Sequence, residues 1–205
     1  MENEPGFGLH VPANRGREAM AYLTFIIDHY TTLPEITAFV HATHYQWHNE
    51  DISPYTSRVL RRLRLETVRT RGYVNLRCNV VPGCNPTSVH PHSPTEVDVQ
   101  KNDVRAQFRD IYVRLFGLRG VQEVPEALGG VCCAQFVVTR EKILQRPVGD
   151  YVRMREWVLM ESGGSGLSDF DVGWVFEKVW HVVFGEGAIF CPTTEKCLCD
   201  VYGKC

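Results

Sequence analysis

The chain has 205 residues, of which 44% are hydrophobic and 22% charged, and its formal net charge is −2. That length can bury a sizeable core, and the near-neutral charge excludes a protein that is basic over its whole surface, so any nucleic-acid contact needs a local patch. No apolar run is long enough to cross a bilayer, and the acidic start MENEPGFGLH lacks the pattern of a signal peptide. The sequence therefore predicts a cytoplasmic protein without a membrane segment.

Apolar residues recur at helical and at strand spacing in turn along the chain. After an irregular lead-in over residues 1–15, the pattern predicts a helix over 17–30 and a short strand over 36–40. Further helices are predicted over 54–70, 99–116, 151–160 and 169–184, and further strands over 73–80 and 131–138. This alternation is typical of a single α/β domain over residues 1–205, which ends in a cysteine-rich tail, residues 188–205.

Histidines follow the first predicted strand directly, in the segment HATHYQWHNED. Open α/β sheets bind ligands beyond the carboxyl ends of their strands, and imidazoles move protons or bind metals near neutral pH. The candidate catalytic residues here are His41, His44 and His48. The candidate substrate-binding residues are Trp47, Asn49 and Asp51. Loop histidines that only bond to backbone groups are the alternative explanation.

Three other features indicate charge-based binding or catalysis. Arg17 and Glu18 lie at the start of the first predicted helix, where free backbone N–H groups suit an anion, although a capped surface helix explains them equally. The predicted helix over 54–70 is the only strongly basic element, and it forms either a phosphate-binding surface or a solvated face. Its candidate binding residues are Arg58, Arg61, Arg62 and Arg64. Glu177 and His181 share a helix face as either a catalytic pair or a surface ion pair.

Eight cysteines are many for a chain in a reducing compartment, where clustered cysteines more often serve metal binding or catalysis. Adjacent residues of a strand face opposite ways, so at most one of Cys132 and Cys133 could reach a pocket and act as a nucleophile there. Gln135, which follows them, is a candidate substrate-binding residue. The tail cysteines form either a zinc site or disulfides, among themselves or with Cys78 or Cys84, which could also bridge to each other. These four are Cys191, Cys197, Cys199 and Cys205.

Several strings together resemble a fungal family of unknown function over residues 14–205, among them NRGREAMAYLTFIIDHYTTLPEITAFVHA, YQWHN, GYVNLRC and CCAQFVVTRE. The family's pattern looks like that of GT-A nucleotide-sugar transferases, which implies a three-layer α/β sandwich with a mixed, mostly parallel sheet. In that likeness His41 to His44 stand where such enzymes carry an acidic metal motif, and Glu177 and His181 fall near a late metal ligand. The missing acidic pair weakens divalent-metal-dependent sugar transfer. Family members carry a further strand and helix before the first helix found here.

The chain is also similar to fungal arginine-containing cyclodipeptide synthases, transferases of secondary metabolism that use two aminoacyl-tRNAs. That resemblance implies a tRNA partner on the basic helix and a histidine that removes the proton from the attacking amine. It also implies a carboxylate for the guanidinium of the small-molecule product, with Glu50, Asp51 and Glu177 as candidates. We expect a transferase of this kind, with a sugar transferase and a non-catalytic α/β binding module as alternatives.

Overall fold

The computed structural model describes residues 10–49, 51–161 and 166–205, so most of the predicted lead-in and Glu50 lie outside the described residues. Two short 3-10 helices, Trp47–Asn49 and Val121–Glu123, accompany the main elements. The helices are α1 (Glu18–Asp28), α2 (Thr56–Arg62), α3 (Leu65–Arg71), α4 (Glu96–Gln100), α5 (Val104–Phe116), α6 (Arg140–Leu144), α7 (Val148–Glu161), α8 (Asp169–Val183) and α9 (Thr194–Tyr202). The strands are β1 (Ile36–Phe39), β2 (Tyr73–Asn75), β3 (Gly129–Gly130), β4 (Phe136–Thr139) and β5 (Ile189–Phe190).

The chain divides into two compact units, which are described separately. The first consists of the described parts of Met1–Thr32, Pro91–Pro125 and Pro147–Phe176. The second consists of the described parts of Leu33–His90, Glu126–Arg146 and Glu177–Cys205. Among the helices of the described ranges, none has the length and apolarity needed to span a membrane.

The first unit is helical, with α1 packed on α7 and α7 packed on α5. The apolar stripe predicted for α1 is buried, including Leu23 and Ile26. The chain enters α1 through Gly16, whose φ is +61°, where an added Cβ would lie 2.6 Å from a methyl carbon of Val158. Glycine is therefore required there by both the backbone conformation and the close approach of α7.

Two predicted helices are each split into two. The basic segment forms α2 and α3, because Leu63 and Arg64 are extended and the Arg64 N–H donates to the carbonyl of Val201 at 2.9 Å. The hydrogen bond from Arg64 to Val201, far along the chain, thus replaces a backbone hydrogen bond within the helix. Residues 96–116 form α4 and α5, because the Asp103 carboxylate accepts from the backbone N–H of Arg105 and starts a new helix.

The second unit is built on a three-stranded sheet in the order β1-β4-β2, and β4 is antiparallel to both neighbours. A separate two-stranded sheet pairs β3 with β5 in parallel. The mixed α/β character is confirmed, but the prediction of a mostly parallel sheet is wrong for the described residues. The predicted strand over 131–138 begins only at Phe136, because Cys133 and Ala134 have φ values of 82° and 46°, which no extended strand allows.

Both faces of the three-stranded sheet are buried. Val74 and Val137 lie in a cluster with residues of α2, α3 and α9, among them Val59, Val68 and Val201. On the opposite face an aromatic cluster covers the sheet. Its ring centroids lie 5.5 Å apart for Tyr73 and Phe136, 5.4 Å for Phe136 and Trp180, and 5.2 Å for Phe136 and Phe184. Both faces of the sheet are therefore apolar, and successive residues of each strand point to opposite faces.

All eight cysteines are paired in disulfides, which join Cys78 to Cys197, Cys84 to Cys191, Cys132 to Cys133 and Cys199 to Cys205. Of the two alternatives for the tail, disulfides are confirmed, including bonds to Cys78 and Cys84. The alternative of a zinc site is wrong, because zinc binds thiolates and each tail sulfur is bonded to another sulfur. The Cys78–Cys84 bridge considered from the sequence is also wrong. Within the described ranges, no group of three or more His, Cys, Asp or Glu side chains is suited to holding a metal ion.

We expect the Cys78–Cys197 bond to contribute more to stability than Cys199–Cys205, because their sequence separations are 119 and 6 residues. Loop-closure entropy then gives contributions of about 5 and about 2 kcal/mol. The double variant Cys78→Ala/Cys197→Ala should unfold at clearly lower denaturant than Cys199→Ala/Cys205→Ala, measured by urea titration of both. Equal midpoints for the two double variants would contradict this assignment.

Candidate functional site

Three segments of the second unit meet at one end of the sheet. The register places Phe136, the first residue of β4, opposite both Phe39, the last of β1, and Asn75, the last of β2. The loop after β1, the segment after β2 and the turn before β4 therefore lie together. Direct contacts join them, since the buried Asn49 side chain donates to Gln135 Oε1 at 3.3 Å and the Leu76 N–H donates to the Gln135 carbonyl at 3.0 Å.

The loop of residues 41–49, here called the histidine loop, is ordered by its own polar contacts. His41 Nδ1 lies 3.4 Å from Oε1 of the buried Gln46, whose amide also donates to the Thr43 hydroxyl. The Gln46 N–H donates to the Pro54 carbonyl at 2.6 Å. Because an amide oxygen only accepts, this contact puts the proton of His41 on Nδ1 and leaves the lone pair of Nε2 as the basic site.

The loop brings two of the three predicted histidines together and exposes the third. The rings of His41 and His48, both half-buried, are 5.3 Å apart in an edge-on arrangement, while His44 is exposed. Trp47 is 56% exposed and its ring lies 4.1 Å from that of His48. The loop thus presents one imidazole and one indole to a large ligand, with two imidazoles behind them.

Burial lowers the pKa of His48 to about 4, and the neighbouring His41 and Arg77 add to this effect. His48 is therefore uncharged at neutral pH. Its Nδ1 is buried and has no hydrogen-bond partner among the described residues. A neutral imidazole can accept a hydrogen bond, but with so low a pKa His48 is a weak base at neutral pH.

Arg77 is a residue of the candidate site that sequence reasoning missed, and its contacts are those of a positioning residue. Only 6% of it is exposed, and its guanidinium donates to the carbonyls of His48 at 2.9 Å, Val81 at 2.9 Å and Asn79 at 3.1 Å. It also lies 5.6 Å from the centre of the Trp47 ring. Arg77 therefore fixes both the backbone and the exposed indole of the histidine loop. The sequence predicted only that Arg77 lies in a strand over 73–80. Its role was missed because its carbonyl partners come from separate segments, which a period-2 pattern does not reveal.

The turn before β4 carries the bond between Cys132 and Cys133, both buried. Each sulfur is bonded to the other, so the predicted nucleophilic role is wrong for this oxidised form. The turn instead holds Gln135, 1% exposed, against Asn49. No sequence signal distinguishes such a vicinal disulfide from two separate buried cysteines.

A basic surface, here called the arginine patch, adjoins the histidine loop. Its members are Arg58, Arg61, Arg62, Arg64 and Lys204, all of them exposed. The Arg62 guanidinium donates to the Ile52 carbonyl at 3.0 Å, and the Lys204 ammonium donates to the Asp51 carbonyl at 3.1 Å. Carbonyl partners orient these groups without neutralising their charge, so the patch stays positive.

The ring of Tyr55 connects the patch to the histidine loop. Its centroid lies 5.3 Å from the His44 ring and 5.7 Å from that of Tyr45, which is 56% exposed. The Arg58 guanidinium carbon lies 4.8 Å from the centre of the same ring. Cations and exposed aromatic rings therefore form one continuous surface. The Asp51 carboxylate lies nearby and accepts from the Asn79 N–H at 2.9 Å.

The remaining predicted residues lie elsewhere. His181 is 2% exposed, its Nε2 lies 3.1 Å from the Ala188 carbonyl, and burial lowers its pKa. A Cβ at Gly130 would lie 2.5 Å from His181 Nδ1, so the imidazole packs closely against this glycine. Glu177 is half-buried in α8. The catalytic roles of this pair stay predictions, and the geometry of His181 is that of a packing residue.

Arg17 and Glu18 belong to the first unit. Arg17 lies 4.8 Å over the Phe170 ring just before α1, and Glu18 is in the first turn of α1. Their substrate-binding role stays a prediction.

Residues 1–200 match the model of a protein family described as "Protein of unknown function (DUF3431)". Searches of curated proteins and of solved structures find no match to the chain. The function has therefore to be argued from the site itself.

The low pKa of His48 has a consequence for stability. Between its ordinary value of 6.5 and about 4, the unfolded chain binds a proton that the folded chain does not. The free energy of unfolding should therefore fall as the pH is lowered through this window. In His48→Gln the fall should be shallower, as measured by urea unfolding at a series of pH values. An unchanged pH dependence would show that His48 is not held neutral by the fold.

Proposed function

Because the chain belongs to the DUF3431 family, whose description gives no function, we propose a function from the site: an aminoacyl-tRNA-dependent transferase that forms an arginine-containing cyclic dipeptide. The observation that carries the proposal is the continuous surface of arginine patch, exposed aromatic rings and histidine loop within one unit. The patch would bind the RNA backbone, the rings would stack on its unpaired bases, and the histidines would transfer protons in the reaction.

The arginine patch supplies affinity for the RNA backbone. Nucleic-acid binding is driven largely by Lys and Arg groups that displace counterions from phosphates. The net charge of −2 means that such binding needs a local cluster. The patch is such a cluster, and its guanidinium groups are oriented by carbonyl oxygens and by the Tyr55 ring, which leaves their charge available to phosphates.

The exposed rings suit the acceptor end of a tRNA, which is single-stranded. Unpaired bases stack on aromatic side chains without strong sequence preference, with about 1–3 kcal/mol for each base. Tyr45 and Trp47 are each 56% exposed and belong to the histidine loop. Stacking there would bring the aminoacyl ester at the end of the strand next to His44.

The chemistry requires proton transfer rather than a nucleophilic side chain. The α-amine of one aminoacyl group attacks the ester carbonyl of the other, an amide forms, and the tRNA hydroxyl leaves with a proton. A second attack of the same kind closes the ring and releases the second tRNA. His44 and His41 are the proposed groups that accept the amine proton and return it to the leaving oxygen. The Asp51 carboxylate is the proposed partner of the guanidinium.

The four disulfides favour a second candidate, a GT-A-like transferase that uses a nucleotide sugar in an oxidising compartment. Charged tRNA is a cytoplasmic substrate, so the disulfides weigh against the first candidate and against the cytoplasmic location. The finer three-layer sandwich belongs to this candidate, whereas the antiparallel pairing of β4 with β1 and β2 counts against it. In both cases the donor carries phosphate, and the arginine patch is its proposed binding surface.

The arginine patch gives a prediction about salt. Replacing Arg61, Arg62 and Arg64 by Gln should weaken tRNA binding, and the slope of log affinity against log salt should drop in magnitude by about 2–3. Filter binding at several salt concentrations measures both. The control is Arg105→Gln/Arg109→Gln, since these surface arginines of α5 pair with Asp103 and Asp110. A slope that does not change in the triple variant would exclude the patch as the RNA surface.

The reaction itself is tested with the purified chain, arginyl-tRNA and a second aminoacyl-tRNA, with mass spectrometry of the product. We expect a mass that matches a cyclic arginine-containing dipeptide, and its loss in His44→Ala but not in His90→Ala, an exposed histidine outside the histidine loop. Without such a product from folded, tRNA-binding protein, the transfer proposal fails. Protection by a nucleotide sugar instead of aminoacyl-tRNA would support the second candidate.

A further inference from the structure

A second concave surface lies at the opposite end of the three-stranded sheet. The register pairs Ile36 with Thr139 and Tyr73 with Val138, so the chain enters β1 and β2 and leaves β4 at this end. A cleft of about 470 Å³ is found here. The residues of its wall that matter for charge and hydrogen bonding are Glu35, Arg69, Arg71, Thr139, Glu141 and Lys142.

Each of the three cations in the wall is held by one carboxylate. Arg69 Nε lies 2.7 Å from Glu35 Oε1, the Arg71 guanidinium bonds to the Asp200 carboxylate, and Lys142 Nζ lies 3.0 Å from Glu186 Oε1. Guanidinium has five N–H donors and ammonium three, so every cation keeps donors for a further partner. Asp200 and Glu186 are not among the described residues of the wall.

Lys142 is fixed more firmly than a surface lysine. Its side chain is 17% exposed and that of Glu186 is 19% exposed. Its aliphatic stem runs beside Gly72, where an added Cβ would lie 3.1 Å from Lys142 Cδ. Gly72 also has a φ of +77°, so glycine serves both the end of α3 and the passage of the stem. Since the ammonium is already ordered, binding of a ligand carries little further entropic cost for immobilising this side chain.

We propose that this cleft binds a small hydrophilic anion bearing phosphate or carboxylate groups, whose oxygens accept from Arg69, Arg71 and Lys142. None of the nine wall residues has an apolar side chain, so the cleft does not suit a hydrophobic ligand. Each of the three cations already has one carboxylate partner, so the N–H donors that these pairs leave over, and not an excess of positive charge, would bind the anion. Glu141 is the remaining carboxylate of the wall, and it opposes an anion. The site is independent of the proposed transferase function.

The test uses the full chain at low ionic strength, with inorganic phosphate and citrate as separate probes in isothermal titration calorimetry. Arg69→Gln and Lys142→Met should each weaken binding by about tenfold or more, since each removes a charged donor. Arg69→Gln alters only an exposed ion pair, so it keeps the test valid even where Lys142→Met unfolds. Glu141→Gln should strengthen binding. Arg109→Gln, which alters an exposed ion pair on α5 of the first unit, is the matched control and should leave binding unchanged.

The outcomes separate the sources and the alternatives. Tighter binding of phosphate than of citrate identifies a phosphate ester as the ligand, and the reverse identifies a polycarboxylate. Either result supports the proposal if it depends on Arg69. Equal loss in Arg109→Gln would mean general attraction to positive charge and would overturn it. Weaker binding in Glu141→Gln would show that this carboxylate supports the site and does not repel the anion, which would also overturn the proposal, as would no heat from either probe at millimolar concentration.

Discussion

The antiparallel pairing of β4 with both β1 and β2 is the constraint on which the functional surfaces of the second unit depend. It brings the loop after β1, the segment after β2 and the turn before β4 to one end of the sheet, and the opposite ends of the same strands to the other. A parallel β4 would have started at the far end, and the contact between Asn49 and Gln135 could not form. The histidine loop and the charged cleft are therefore separated by the length of a short strand.

The cysteine-rich tail is a structural part of this unit rather than a metal site. The Cys78–Cys197 bond lies in the hydrophobic cluster that covers one face of the sheet, and the Tyr202 hydroxyl donates to the Leu76 carbonyl at 2.5 Å. The same tail gives the Val201 carbonyl to Arg64 and places Lys204 against Asp51. It thus stabilises the core and builds part of the arginine patch.

Sequence periodicity was sufficient for elements whose partners are local. The stripe of α1 and the strand β1 were predicted nearly to their ends, and the histidine loop was found because a loop after a buried strand lies at a sheet end in either strand direction. What failed depends on distant partners. The backbone N–H of Arg64 donates to the carbonyl of Val201 instead of to a helical partner. The Arg77 guanidinium donates to carbonyls of two separate segments, and the cysteine pairing is set by proximity in the folded chain. None of these has a signature in spacing.

The disulfides also bear on how the patch works in each compartment. The bond between Cys199 and Cys205 encloses Lys204, so its reduction would free that ammonium from Asp51. Arg58 and Arg61 belong to α2, which is held by the fully buried Val59 and does not depend on this bond. The part of the patch next to Tyr55 and His44 is therefore independent of the Cys199–Cys205 bond, while the part next to the tail depends on it. Donor binding with this bond formed or reduced should differ in strength rather than in kind, because the aromatic and histidine surface is common to both forms.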